Sequence, residues 1–230
     1  MLEIDYHAQM WRRPFKVPRE PMRCAAAGKE LCRAGGSFLI GAIPFAHIVA
    51  KCAGGVDLRT TNPESVSATG VYRASGLAPF LIASALDVAK GYVAIKLAGQ
   101  DRPAIALHAG LVVAGHNWSP FMGGVGGRGI TPATGALLGI NRQGATVILS
   151  GPAIGYVCRE TGLGSFVSQL LLLPVALHSR ERSGVLPLVA VLIPMWTKRI
   201  LGNDLEVRRS LPMGRYVERL LYDRDRSTPG

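Results

Sequence analysis

The sequence predicts an all-α protein, a polytopic membrane helical bundle of about seven short transmembrane helices. Three observations carry that expectation. Residues 1–34 hold seven Lys/Arg and residues 198–230 hold eight, so the two ends of the 230-residue chain carry fifteen of its 26 basic side chains. Between them lie long uncharged runs, among them Ala34–Ala50, Pro103–Gly127 and Thr161–Ser179, near the lengths of about 17 to 25 residues that spanning helices need. The charged interruptions recur at regular intervals, as brief polar turns between helices would. A soluble domain would spread its charge more evenly.

The runs place helices near 35–53, 75–98, 103–122, 131–141, 143–157, 165–178 and 184–201. Gly and Pro inside them are acceptable, because neighbouring helices in lipid re-satisfy the freed backbone groups. Residues 1–34 read as a basic tail, interfacial or unstructured, with Met22 as an alternative start because residues 1–21 add nothing periodic. Residues 35–201 form the membrane domain, and residues 202–230 a basic C-terminal tail. Alternation of seven helices puts three polar connections on one face: residues 54–73, the glycine-rich stretch after His116, and residues 158–165. The C-terminal tail falls on that face too, and its charge makes the face cytoplasmic. The expected location is the inner (cytoplasmic) membrane, multi-pass, with the basic N-terminal tail left on the opposite side.

A net charge of +11 invites a nucleic-acid reading, but the basic residues are not interleaved with aromatics and no motif of that class occurs. Anionic headgroups or phosphate-bearing substrates are the better counter-charge. The four cysteines lack C-x-x-C spacing; a reduced compartment or inert burial accounts for them. His47, His108 and His178 show no ligand spacing, so no metal is expected. No G-x-S-x-G elbow is present, and a Ser/His/Asp triad has no support.

The chemistry-bearing stretch is "GHNWSPFMGGVGGRGITPATG", residues 115–135. Glycines 123, 124, 126, 127 and 129 let the backbone turn its N–H groups inward as an anion nest. Thr131 suits a helix N-cap and Pro132 the first helical position, so the loop ends at a positive helix terminus. Arg128 adds a forked cation. The competing explanation is that the glycines only let helices pack closely. Asp87 and Lys90, three apart, share one helix face, either as a functional intramembrane pair or as an ion pair that ties helices together. His116 and Asn117 are candidate acid/base and hydrogen-bonding groups. Arg59 and Arg73 bracket the first polar loop and could converge on phosphate.

In collinear order, "GAIPFAHIVAKCAGGVDLR", "SATGVYRASG", "LDVAKG", "GHNWSPF", "GGRG" and the R-x-x-G-L-G-S of residues 159–165 resemble the bacterial PlsY family of membrane glycerol-3-phosphate acyltransferases over residues 36–202. The resemblance implies seven membrane helices and transfer of an acyl group from acyl phosphate to the 1-position of glycerol 3-phosphate, forming lysophosphatidate for phospholipid synthesis. It implies catalytic roles for Lys90 and His116, and phosphate or substrate binding by Arg59, Arg73, Gly126, Gly127, Arg128, Gly129, Arg159 and Ser165. Arg128 stands where the family has Lys. The implied partners are acyl phosphate, glycerol 3-phosphate or another small alcohol, and membrane lipids; no cofactor is implied. The chain departs from the family at Asn62–Ser65, where the family reads G-S-G-N, at Gly70, at Gly162 in place of Ser, and at Ile193 and Trp196 in place of His and Asn. Two further readings stay open: a non-catalytic or altered-acceptor relative that binds a phosphorylated lipid precursor, and a small lipid or solute transporter with Asp87 and Lys90 on its pathway.

Overall fold

The structure is a computed structural model that describes residues 20–61, 66–178, 185–203 and 213–223. The departures at 62–65 therefore lie outside the described residues. Two compact units are present, Met1–Cys32 and Arg33–Gly230. The first contributes to the described residues only the start of α1, Glu20–Ala42, a helix that begins inside the stretch expected to be a tail. All that follows concerns the second unit.

The helix expected over 35–53 is broken. Pro44 has no N–H and holds Ile43 out of the helical region, so α1 stops at Ala42 and α2 starts at Phe45, running to Gly54. Gly55, at φ 67°, closes α2. Two short helices cross the first polar loop: α3, Leu58–Thr61, and α4, Ala68–Ser75. The long helix α5 spans Leu77–Ala98 between Gly76 and Gly99, both at positive φ. Asp101 caps α6, Arg102–Asn117, accepting from the Ala104 amide at 3.3 Å. The expected helix to 122 thus ends at Asn117, and a 3₁₀ turn, Pro120–Met122, follows. Helix α7 is Ile130–Ile140 and α8 is Arg142–Val157. Asn141 joins them, donating its amide to Leu137 and accepting from the Gly144 N–H at 2.8 Å. Helices α9, Thr161–His178, and α10, Val185–Leu201, complete the expected set. An eleventh helix, α11, Met213–Tyr222, lies in the stretch expected to be a tail.

No strand occurs among the described residues, and the exposure pattern is that of a membrane bundle. Leu77, Leu81, Ile82 and Val93 on α5, and Val167, Leu170, Leu171 and Leu177 on α9, are exposed, whereas Asp87, Lys90, His108, Asn117, Gln169 and Lys198 are buried. Water would reverse that arrangement; lipid favours it, because ionisable groups turn to the bundle interior. Among the described residues, Gly28–Gly54 and Leu77–Ala98 are long and apolar enough by themselves to cross a bilayer. Helix α7 has 11 residues, about 16 Å at 1.5 Å per residue, and reaches only part of the way.

The core gathers Ala94, Val112, Val113, Leu137, Ile148, Leu188 and Met195 from α5 to α8 and α10. With lipid on one side and little hydrophobic drive between helices, close approach through small residues supplies the packing. A Cβ on Gly91 would overlap the Pro132 carbonyl, and one on Gly135 would overlap the Val88 carbonyl, so α5 and α7 cross backbone to backbone. A second small cluster, Ala46, Ala50, Leu58, Val71 and Ala83, packs α2 to α5 against Met122 of the 3₁₀ turn. The thiols of Cys52 and Cys158 are exposed and free, so burial does not account for them.

Candidate active site

Three ionisable side chains meet under the glycine loop. Asp87 and Lys90 lie one turn apart on α5, and Lys90 Nζ sits 2.7 Å from Asp87 Oδ1. The same ammonium donates to His116 Nδ1 at 3.0 Å and to the Ile43 carbonyl at 3.0 Å. That carbonyl, at the break before Pro44, also accepts from the Phe45 N–H at 3.1 Å. Lys90 also lies 5.7 Å from the centre of the Phe45 ring. All three groups are buried. An ammonium can only donate, so the His116 Nδ1 that receives it is an acceptor and Nε2 carries the proton. Nε2 faces Gly127, where a Cβ would overlap it.

The glycine loop differs from the expected nest. The amides of Gly123, Gly124, Val125 and Gly127 donate to the carbonyls of Pro120, Ser119, Met122 and His116. Gly126 is clasped on both sides by Asn203, its N–H donating to Asn203 Oδ1 at 3.2 Å and its carbonyl accepting from Asn203 Nδ2 at 3.0 Å. The loop closes on itself, with Gly123 and Gly124 exposed at its start and Gly126–Gly129 buried at its end. There the expected cap is displaced by two residues: α7 begins at Ile130 behind Gly129, at φ 80°, and Thr131 lies within the first turn. Unsatisfied amides belong to the first turn of any helix, so the terminus keeps its positive character. Positive φ at Gly123, Gly124 and Gly129, and the approach of Gly126 and Gly127 to His116, explain these glycines better than helix packing does.

Ahead of the loop is a small cleft, lined by Ala42–Ala46, Val66, His116, Ser119, Met122, Val125 and Gly126. Its walls are mostly apolar, and the imidazole is part of them. Ser119 donates to the Ala42 carbonyl at 2.6 Å, and Asn117 donates to the Pro194 carbonyl at 2.8 Å; both tie the end of α6 to its neighbours.

The remaining sequence-selected residues are distributed more widely. Arg128 is buried beside the loop, with Nε 2.7 Å from Asp223 Oδ1. Arg59 is exposed and grips Asp57 with a two-pronged contact, Nε to Oδ1 at 3.1 Å and a terminal nitrogen to Oδ2 at 2.7 Å. That guanidinium, helped by the Arg59 amide at 2.9 Å, holds the Asp57 carboxyl well below the usual carboxylate range and raises Arg59 in turn. Arg73, in the last turn of α4, is exposed. Arg159 is exposed at φ 60° between α8 and α9. The Ser165 hydroxyl is buried and spent within its own helix, donating to Thr161 at 2.7 Å. The structure thus gathers Lys90, His116 and Gly126–Gly129 at one loop and leaves Arg59, Arg73 and Arg159 on exposed positions.

The departures also acquire reasons. A Cβ on Gly162 would overlap the Tyr222 backbone, so α11 excludes the family's serine there. Ile193 is exposed on the bundle surface, and Trp196 packs 6.4 Å from Phe166, ring centre to ring centre. Lys198 and Arg199, counted above with the C-terminal charge, are interior: Lys198 is 0% and Arg199 1% exposed, with Lys198 Nζ 5.3 Å from the Trp118 ring. Asn203 and Asp223 escaped the sequence reading. A lone Asn or Asp in a basic stretch carries no local signal of contact with a loop about eighty residues away or more.

Fold and site together define a polytopic membrane protein with a glycine-rich loop set over a buried Lys–His pair. The profile of the family described as glycerol-3-phosphate acyltransferase matches residues 32–201. The chain is 34% identical over 189 residues to glycerol-3-phosphate acyltransferase 1 of Deinococcus radiodurans, covering 79% of this chain and 94% of that relative. Two crystal structures of PlsY, an integral membrane glycerol 3-phosphate acyltransferase, are similar: the glycerol 3-phosphate form at TM-score 0.62 and 27% identity, and the lysophosphatidic acid form at 0.60 and 26%. Each covers 72% of this chain and 84% of that one. The chain belongs to the glycerol-3-phosphate acyltransferase family and is an integral membrane acyltransferase of phospholipid synthesis. The relatives are named acyltransferases, so neither the transporter nor the binding-only reading is favoured.

Proposed function

We propose that the protein transfers an acyl group from acyl phosphate to the 1-hydroxyl of glycerol 3-phosphate, releasing inorganic phosphate and forming lysophosphatidate at the cytoplasmic face of the inner membrane. The observation that carries this is the position of His116, held by Lys90 at Nδ1, set against Gly127 at Nε2 and lining a mostly apolar cleft. An acyl phosphate is already activated, so no protein nucleophile is needed. The chain's task is to orient two phosphate-bearing substrates and stabilise the charge that develops as the hydroxyl attacks.

In this scheme the apolar cleft takes the start of the acyl chain. Gly126 and Gly127 shape the loop, while Gly129, Arg128 and the start of α7 hold the donor phosphate. Lys90 polarises His116, whose Nε2–H donates to an oxygen of the reacting group. That tautomer leaves Nε2 without a lone pair, so the hydroxyl proton passes to a phosphate oxygen of the substrate, which leaves with it. Arg59 and Arg73 bind the glycerol 3-phosphate, and Arg159 and Ser165 contribute from the third polar connection. Residues 35–201 are the catalytic membrane domain, flanked by basic segments 1–34 and 202–230.

The test is turnover by the full chain in lipid nanodiscs, supplied with labelled acyl phosphate, glycerol 3-phosphate and a panel of other small alcohols. Lysophosphatidate that forms with wild type and falls by at least about a hundredfold in Arg128→Ala supports the scheme. Bound acyl phosphate with no acyl product from any acceptor would sink it.

A further inference from the structure

We infer that the C-terminal helix carries a built-in stand-in for substrate phosphate: the Asp223 carboxylate occupies the anion position at Arg128 and must give way when a phosphate binds. The inference rests on the proposed phosphate site. It adds a gate supplied by a part of the chain beyond residues 32–201, where the family profile matches.

The contact is built rather than incidental. Helix α11 ends at Tyr222, and Asp223 follows in the left-handed region at φ 56°, its N–H donating to the Arg219 carbonyl at 2.9 Å. That position after a helix is usually Gly or Asn. An Asp satisfies the backbone as they would and adds a carboxylate, which meets Arg128 Nε at 2.7 Å. The end of α11 is itself fixed. The buried Arg199 of α10 donates to the carbonyls of Leu220 at 2.9 Å, Leu221 at 3.2 Å and Gly162 at 2.7 Å. Gly162, lacking a side chain, lets the Tyr222 backbone lie directly against α9. The Asp223 carboxylate thereby offsets the charge of the glycine-loop cation before any substrate arrives.

Competition follows from the chemistry of the two anions. A carboxylate offers one charge and two oxygens; a phosphate group near neutral pH offers up to two charges and three oxygens. The guanidinium fork suits either, so phosphate displaces Asp223 while weaker anions do not. Asp223 can yield because its side chain is 21% exposed, against 8% for Arg128.

The full chain in nanodiscs is titrated with inorganic phosphate alone and then assayed with acyl phosphate. Asp223→Asn should bind inorganic phosphate about five- to tenfold more tightly and lower the KM for acyl phosphate by a similar factor, with kcat within about twofold. Unchanged or weaker binding overturns the inference, weaker binding meaning that Asp223 positions Arg128 instead of competing for it. Failure of either form to bind phosphate also overturns it. Because phosphate binding is read without turnover, a wild type inactive toward every acceptor would count against the acyltransfer scheme and leave this inference to be decided separately. Should Asp223→Asn not fold, wild type answers alone: saturating inorganic phosphate should speed amide exchange over residues 213–223, and unchanged exchange there overturns the inference.

Discussion

Replacing Lys90 by Met separates the structural from the chemical role of the buried charge cluster. At 2.7 Å and an effective dielectric near 20, two unit charges attract by about 6 kcal/mol. Burying both costs several kcal/mol per ion, so the intact pair nets close to zero. Removing the ammonium alone leaves Asp87, 0% exposed, with an uncompensated charge, a cost of about 3–5 kcal/mol. In a chain of this size that is a fall of about ten degrees in melting midpoint. The double variant Asp87→Leu with Lys90→Met removes both charges and should melt near wild type. If Lys90 also polarises His116 during reaction, turnover falls by about a hundredfold or more in both variants and does not return with stability. Melting curves and turnover in nanodiscs read the two effects separately. A double variant that recovers both would refute the catalytic role of Lys90, and a Lys90→Met protein that melts within about 1 kcal/mol of wild type would refute the burial reasoning.

Gly127→Ala should push a methyl into His116 Nε2 on a ring already held from behind by Lys90, costing about 1–3 kcal/mol; a normal melting midpoint with normal turnover would contradict the contact. Asn203→Ala removes both hydrogen bonds to Gly126, worth about 1–3 kcal/mol together, and should speed amide exchange over residues 124–127 without changing exchange in α8. The Asp57–Arg59 contact stabilises the first loop through a depressed carboxyl. Its contribution is therefore complete above the ordinary Asp value of 3.8 and is lost only as pH falls below that value toward the lowered one. Limited proteolysis over residues 56–61 should be flat from pH 7 to about pH 4 in wild type and uniformly faster in Asp57→Asn; a wild-type transition near pH 5 would show that the pair does not form in solution.

Much was legible along the chain because its signals are local. Uncharged runs marked α5, α8 and α10 nearly to their ends, since a segment's affinity for lipid depends on its own composition. Asp87 and Lys90 could be paired from their spacing alone, because one helical turn brings residues three apart together. The glycines marked a tight loop for the same reason. Errors arose where a local signal had two outcomes. Pro44 broke a helix that hydropathy alone would continue, and Thr131 looked like a cap although Gly129 had already begun the helix. The positive-inside count treated Lys198 and Arg199 as surface charge, yet both are interior, Arg199 bonded to α9 and α11 and Lys198 lying over Trp118.

By itself, then, the sequence determined a lipid-embedded helical chain, a glycine loop leading into a helix, and a Lys–Asp pair on one face, because each is a property of neighbouring residues. Tertiary structure alone decided that His116 receives Lys90, that Asn203 clasps Gly126, and that Asp223 reaches Arg128. Those partners stand 26, 77 and 95 positions apart, and no periodicity specifies them. Their meeting depends on how closely helices cross, which glycines such as Gly91, Gly135 and Gly162 permit by leaving out a single carbon atom.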